Sequence, residues 1–283
     1  MVRLKTIPLN DIERKLYYSN NWVAKQHSDN VIKHKANNMV RNVQKLRGIS
    51  TVLDVGCGAG ILVDKLNKLG YDATGLDSSQ SAIDYARENC RGKFILGDES
   101  LDVINTRYDL IGVSHLLEHL IDSTRLFSGI KRVLIRPGYI CVAVPNLGSY
   151  KANSIWRATT INKIHDYDHY YAYDAPKLTE LLESNGFDIV SVTTRTYGHT
   201  IITGVIRTIL HKLLRQPMKL DATPDNIYKS IAPAKLTNFY DTIFNNKFVS
   251  PLYEPFNRIS ERNNMGEELT AIAMLNNEER GNK

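Results

Sequence analysis

Val52-Leu53-Asp54-Val55-Gly56-Cys57-Gly58-Ala59-Gly60 joins a short apolar run to three glycines at alternate positions. Thr51 to Val55 reads as a strand, and Ile61, Leu62, Leu66 and Leu69 then repeat at helical spacing until Gly70 ends them. In such a strand–loop–helix unit, small residues let the backbone turn sharply and bring its N–H groups against a ligand at the helix N-terminus. Asp77 stands 21 residues after Gly56, at the end of the next apolar run, where a carboxylate can accept both hydroxyls of a ribose.

Around this unit, strands are expected at Ala73–Leu76, Phe94–Leu96, Tyr108–Val113, Tyr139–Val144, Phe187–Thr194 and Glu268–Leu275. Helices are expected at Ser79–Asn89, Leu116–Val133 and Leu178–Asn185, with one or two more, polar and basic, within residues 11–47. Strands alternating with helices of this length imply a parallel sheet covered on both faces. The expected organisation is an N-terminal helical lid (1–48), a sheet domain (49–195 and 266–276) and a helical insertion (196–265) serving as a substrate cap. Five prolines, Pro217, Pro224, Pro233, Pro251 and Pro255, punctuate the insertion.

A dinucleotide-binding loop would want its third glycine where this chain has Ile61, so the loop favours S-adenosylmethionine (SAM) over a nicotinamide cofactor. Gly97-Asp98-Glu99 follows the third strand and offers carboxylates for an adenine amino group. The whole stretch 52–60 resembles the first motif of class I SAM-dependent methyltransferases, nearly residue for residue. His115-Leu116-Leu117-Glu118-His119-Leu120, the segment His165 to Phe187 and Gly266-Glu267-Glu268-Leu269 are similar to the small-molecule, quinone and glycan branch of that superfamily. The resemblance implies a Rossmann-like α/β fold: a seven-stranded, mostly parallel sheet in order 3-2-1-4-5-7-6, with the helical cap inserted before an antiparallel last strand. It implies SAM as cofactor, with Gly56, Gly58 and Gly60 at the methionine end, Asp77 on the ribose and Asp98 on the adenine. Asp54, Cys57, Ser78, Glu99, Ser114 and His115 complete the expected cofactor set.

Methyl transfer is an in-line displacement with a good leaving group, so holding the acceptor and excluding water supply much of the rate. A hydroxyl acceptor gains further from a base, and His has the suitable pKa. His165 and His169, in the tyrosine-rich segment 165–171, are the catalytic candidates, because ligands in such sheets lie outside the carboxyl ends of the strands. On a helix His115, Glu118 and His119 would share one face at a spacing suited to a divalent ion. Polyprenyl-quinone O-methyltransferases carry a similar trio with glutamate where this chain has His115. That departure leaves no metal expected here and makes Glu118-His119 a structural pair that packs the helix start and lines the cofactor pocket. Tyr17, Trp22 and Lys35 are candidates to close over the cofactor.

The expected function is methylation of a small-molecule, sugar or lipid-linked acceptor, on oxygen in preference to nitrogen. A quinone-ring O-methyltransferase is the alternative enzyme, and a non-catalytic SAM-binding regulatory or scaffold protein the alternative of another class. No Asn/Asp-Pro-Pro-Tyr follows the fourth strand and no Pro-Cys occurs, which argues against adenine-amine and cytosine-C5 chemistry; nucleic acid is not the expected partner. Residues 1–50 nevertheless hold ten Lys/Arg against three Asp/Glu, and 189–220 hold five basic residues and no acid. Residues 204–216 form an amphipathic pattern with a basic polar face, read first as a cap helix and second as a peripheral membrane contact. Three scattered cysteines, no run of about 18 apolar residues and no apolar leader place the protein in the cytoplasm, or at its membrane surface.

Overall fold

The computed structural model describes residues 2–3, 23, 30–148, 169–196, 258, 261–262 and 266–276. Seven strands form one sheet: β1 (Thr51–Val55), β2 (Asp72–Asp77), β3 (Lys93–Leu96), β4 (Tyr108–Ser114), β5 (Leu134–Pro145), β6 (Phe187–Arg195) and β7 (Glu268–Leu275). Their order is 3-2-1-4-5-7-6; the first five run parallel, and β7 is antiparallel to both β5 and β6. The expected topology therefore holds. The order in which strands are added reverses between β1 and β4, which puts a crevice at the carboxyl ends of those two strands. A short ribbon pairs Val2–Arg3 with Tyr171–Ala172 beside the sheet.

Strand β1 explains the packing of both faces. Leu53 and Val55 point into one apolar cluster and Val52 into the other, as the two-residue period of a strand requires. One face is covered by α1 (Asn30–Val43), α2 (Ile61–Lys68) and α3 (Gln80–Asn89). In α1, Ala36, Met39, Val40 and Val43 recur at helical spacing and are all buried, with Met39 Sδ 3.7 Å from Cys141 Sγ on β5. This helix belongs to the segment expected as a lid, and it lies in the helical layer on the sheet. The other face carries α4 (Thr124–Val133) and α5 (Ala175–Ser184), where Phe127 and Phe187 sit 6.2 Å apart between ring centres. Each such buried side chain contributes about 1.5–3 kcal/mol.

Three expectations are corrected. Leu69 was grouped with the buried face of α2, yet it is 52 % exposed at the C-cap; Val63 takes the buried place. The single helix expected over Leu116–Val133 is two pieces, a 3₁₀ turn at Leu117–His119 and then α4. The break follows from Asp122, whose carboxylate accepts from the Thr124 N–H (2.9 Å) and hydroxyl (2.6 Å), offering the backbone an alternative to helical bonding. Helix α5 starts before its expected first residue because Asp174 caps the Lys177 N–H and Pro176 fits the first turn. Of the insertion 196–265, residues 197–257 with the amphipathic stretch 204–216 lie outside the described residues, as do Tyr17 and Trp22. No helix among the described residues is long and apolar enough to cross a membrane.

Helix α4 also fixes the loop after β3. The Arg132 guanidinium donates to the carbonyls of Leu101 (2.7 Å), Ile104 (3.1 Å) and Ser100 (3.4 Å). Gly129 lets the loop pass close, since a Cβ there would lie 2.3 Å from the Ser100 carbonyl oxygen. Gly129→Ala is therefore expected to destabilise the protein by about 1–3 kcal/mol in urea denaturation, despite the better helix propensity of alanine; an unchanged midpoint would show that the loop yields freely.

Candidate functional site

Leaving β1, the chain enters left-handed backbone at Gly56 (φ 77°) and Gly60 (φ 78°), a conformation that a Cβ would strain. The N–H groups of Gly56 and Cys57 donate to the Leu76 carbonyl (2.8 and 3.0 Å), that of Gly58 to Asp77 Oδ2 (2.8 Å), and that of Gly60 to Cys57 O (3.0 Å). The expectation that this loop presents its N–H groups to a ligand is thus revised for these four: three hold the loop against β2 and the fourth closes its turn. A Cβ on Gly60 would meet the Phe94 ring at 2.8 Å and Ala86 at 2.9 Å, so the third glycine permits close packing of loop on β3 and α3. The Cys57 thiol is buried over Gly75, and burial pushes its pKa up. Buried Val23 packs on Ala59 and Ala82 and brings one described point of the N-terminal segment onto the loop.

Three carboxylates surround this loop at the carboxyl ends of β1, β2 and β3. Asp54 is 3 % exposed and its Oδ1 has no hydrogen-bond partner. Burial, reinforced by the charge of Asp77, pushes the Asp54 carboxyl up to about 7. Asp77 accepts from the N–H groups of Gly58 and Ser79 (2.8 and 2.9 Å); burial raises its pKa against these bonds. Each of its oxygens retains a second lone pair. Asp98 is half-exposed, held low by the Ser100 hydroxyl and N–H (2.5 and 3.0 Å), with Arg125 beside it at 3.4 Å and reaching Glu99 at 3.7 Å. Ser78 is exposed at the loop after β2, and Ser114 is the last residue of β4. Small neutral and acidic groups therefore line a crevice suited to a cationic adenosine ligand.

A second cluster lies at the carboxyl ends of β4 and β5. His115 occupies left-handed backbone (φ 53°) and is followed by the 3₁₀ turn, so His115, Glu118 and His119 do not share an α-helical face as expected. His115 Nδ1 faces Glu118 Oε1 at 3.1 Å and its Nε2 faces Glu268 Oε2 at 2.8 Å. Its ring nitrogens are thus engaged by protein, and its N–H donates to the Ala143 carbonyl (2.8 Å). Glu268 Oε1 accepts from the Asn38 amide of α1 at 2.6 Å. Glu118 is fully buried with Oε2 unpartnered. Burial raises its pKa, but the His115 hydrogen bond and the charges of His115, His119 and His169 outweigh this and bring the carboxyl down to about 2, an ionised group.

The segment carrying His169 is pinned here by backbone. The Tyr170 N–H donates to the Glu118 carbonyl (2.7 Å) and the Tyr173 hydroxyl to the Leu117 carbonyl (3.5 Å). His119 and His169 consequently meet edge to face, 4.6 Å between ring centres. Glu118, His119 and His169 each place one donor atom within 4.8 Å of the others. His169 was expected and is here, buried; His165 lies outside the described residues. Neither Glu268 nor Asn38 stands in a motif that marks it as a site residue. Two adjacent acids opening an otherwise apolar strand were the available signal for the former.

A seven-stranded sheet of this order with an acid-flanked glycine loop at its switch point defines the class I SAM-dependent methyltransferase architecture. The methyltransferase-domain family profile matches residues 29–192, and the chain belongs to that family, whose cofactor is SAM. Over 153 residues it is 29 % identical to a ubiquinone biosynthesis O-methyltransferase of Coxiella burnetii, covering 50 % of this chain and 65 % of that protein, just under two thirds of the relative's length. A solved SAM-dependent methyltransferase from Archaeoglobus fulgidus superposes with TM-score 0.51 at 19 % identity, over 84 % of this chain and 92 % of that one. Haemonchus contortus phosphoethanolamine N-methyltransferase 2 in complex with SAM gives 0.56 at 14 % identity, over 96 % of this chain and 60 % of that one.

The unpartnered Asp54 sets a pH-dependent stability. Its carboxyl titrates at about 7 in the fold against 3.8 as the ordinary value, so the folded state holds the extra proton between these limits. Ligand-free stability therefore falls as pH rises through that window and levels off above it. Asp54→Asn is expected to stabilise the ligand-free protein by an amount that grows from near zero at the acid end to on the order of 2–4 kcal/mol at the alkaline end. Urea denaturation across pH checks this; a gain that does not vary with pH would remove the assignment.

Proposed function

We propose that the chain transfers the methyl group of SAM to a hydroxyl of a small-molecule, sugar or lipid-linked acceptor, with oxygen preferred over nitrogen. The observation that carries this reading is the His119–His169 pair against ionised Glu118 at the mouth of the crevice. When bound, SAM supplies a methyl group on a sulfonium centre. The remaining lone pairs of Asp77 take the ribose hydroxyls, Asp98 and Glu99 face the adenine amino group, and Asp54 Oδ1 takes the cofactor ammonium. Bare backbone at Gly56 and Gly58 makes room for the amino-acid end, with Cys57, Gly60, Ser78, Ser114 and His115 completing the walls through main chain or packing.

His119 is partly exposed and His169 is buried behind it. His119 is therefore the group that accepts the acceptor's hydroxyl proton, and His169 positions its ring. Negative Glu118 favours the imidazolium that results, as a buried carboxylate beside a catalytic histidine does. A phenolic hydroxyl of a quinone precursor is the specific acceptor favoured by the similarity to ubiquinone biosynthesis O-methyltransferases. Acidic phenols also ionise more readily than sugar hydroxyls, so the same base suffices.

The test is transfer of labelled methyl from SAM into quinone, glycan and RNA extracts, beside calorimetry with SAM. Saturable SAM binding with label in a hydroxyl-derived ether is expected. His119→Ala should lower kcat about 10²–10⁴-fold with SAM affinity retained, and Asp54→Asn should weaken SAM binding by about tenfold or more. Binding without transfer to any pool would leave a non-catalytic SAM-binding protein. Full activity in chelator is expected; activity lost in chelator and restored by a divalent ion would instead make Glu118, His119 and His169 a metal-binding set.

A further inference from the structure

We infer that Glu268, the first residue of β7, positions the methyl-transfer base through a carboxylate–histidine–carboxylate line, a role that rests on His119 being the base proposed above. The line runs from Glu268 Oε2 to His115 Nε2 (2.8 Å) and from His115 Nδ1 to Glu118 Oε1 (3.1 Å). Glu118 adjoins His119 and His169, with one donor atom of each within 4.8 Å of the others. A structural ion pair needs one acid for one histidine. Here two buried acids face a single ring, so the line carries more negative charge than His115 balances. The end of it that can answer that charge is Glu118, beside His119 and His169.

Two contacts between a ring nitrogen and a carboxylate oxygen need one proton each. Glu118 is ionised, so the proton on its side belongs to His115 Nδ1, which donates. The other proton lies between His115 Nε2 and Glu268 Oε2. While Glu268 engages Nε2, the Nδ1–H stays aimed at Glu118. That bond commits Glu118 Oε1. Its Oε2, buried and with no hydrogen-bond partner among the described residues, is the oxygen left for the base when it takes the acceptor's proton.

The line is held at both of its turns. The Asn38 amide of α1 donates to Glu268 Oε1 (2.6 Å) and to the Thr270 hydroxyl (3.2 Å), which fixes the Glu268 carboxylate from the helical layer. His115 keeps left-handed backbone (φ 53°), unfavourable for a residue with a Cβ and retained only where surrounding bonds impose it. The two carboxylates and the Ala143 carbonyl, which accepts the His115 N–H (2.8 Å), impose it here.

The test uses the full chain with the demethylated cofactor bound for nitrogen-15 NMR of the histidine rings, and methyl transfer from SAM to a catechol as probe acceptor. Glu268→Leu should shift the ring signals of His119 and lower kcat about 10–100-fold. Catechol KM and SAM affinity should stay within about threefold. Glu268→Gln can still accept from Asn38 and donate to His115 Nε2, so it should restore the signals and bring kcat within about threefold of the parent. Asparagine tolerates left-handed backbone, so His115→Asn cuts the same line, and combining it with Glu268→Leu should cost no more than the slower single change. If Glu268→Leu does not fold, His115→Asn set against Glu268→Gln decides; if catechol is not methylated, the ring signals decide. Unmoved His119 signals, additive losses, or a loss that glutamine does not restore overturn the role. With His119→Ala inactive, such a result removes the line alone, whereas full transfer in His119→Ala removes the proposed base and the line together.

Discussion

A carboxylate removed from water must meet a cation or take up a proton, and this fold buries Asp54, Glu118 and Glu268. Glu118 and Glu268 share His115 between them. Asp54 has no such partner, and its carboxyl rises to about 7 in consequence. The difference separates the two halves of the crevice. In one half a histidine sits between two carboxylates; in the other the charge of Asp54 is left to what binds. A cofactor that brings both an ammonium and a sulfonium suits the second half on electrostatic grounds, independently of any family resemblance.

The fold was legible because its signals are local. Thr51–Val55, the glycines and the serine cap of α3 each depend on neighbours within a few residues, and the Ser79 hydroxyl accepts the Ala82 N–H as its position implies. The glycine loop was legible as a turn but less so in its purpose. Nothing in G-x-G-x-G reveals that Leu76 and Asp77, far along the chain, absorb the loop's N–H groups. Asp77 thus shapes the loop as well as facing the crevice, a double role that spacing cannot show.

The histidine cluster was legible only in part, for a geometric reason. Reading His115, Glu118 and His119 as one helix face presumes uniform α-helical backbone, and the left-handed residue at His115 breaks that assumption before the turn begins. With the ring of His115 turned to two glutamates, the third member of the local set comes from the chain segment after β5. Sequence proximity suggested His115, whereas the backbone bond from Tyr170 to Glu118 supplies His169. A contact made across about fifty residues by main-chain atoms leaves no trace in side-chain spacing.

Strand direction explains why Glu268 reaches this cluster at all. Ligand crevices in such sheets form at the carboxyl ends of parallel strands, so a parallel strand would bring its first residue to the opposite edge. Because β7 is antiparallel, Glu268, its first residue, lies beside Pro145, the last of β5, and across from Arg195, the last of β6. Two acids at the start of a buried apolar strand are costly unless that start lies where cations and amides gather. Asn38 from α1 and His115 from the end of β4 supply them for Glu268. The acids therefore require the antiparallel direction as much as the direction explains the acids. Reversing β7 would strand Glu268 at an edge where these partners do not reach.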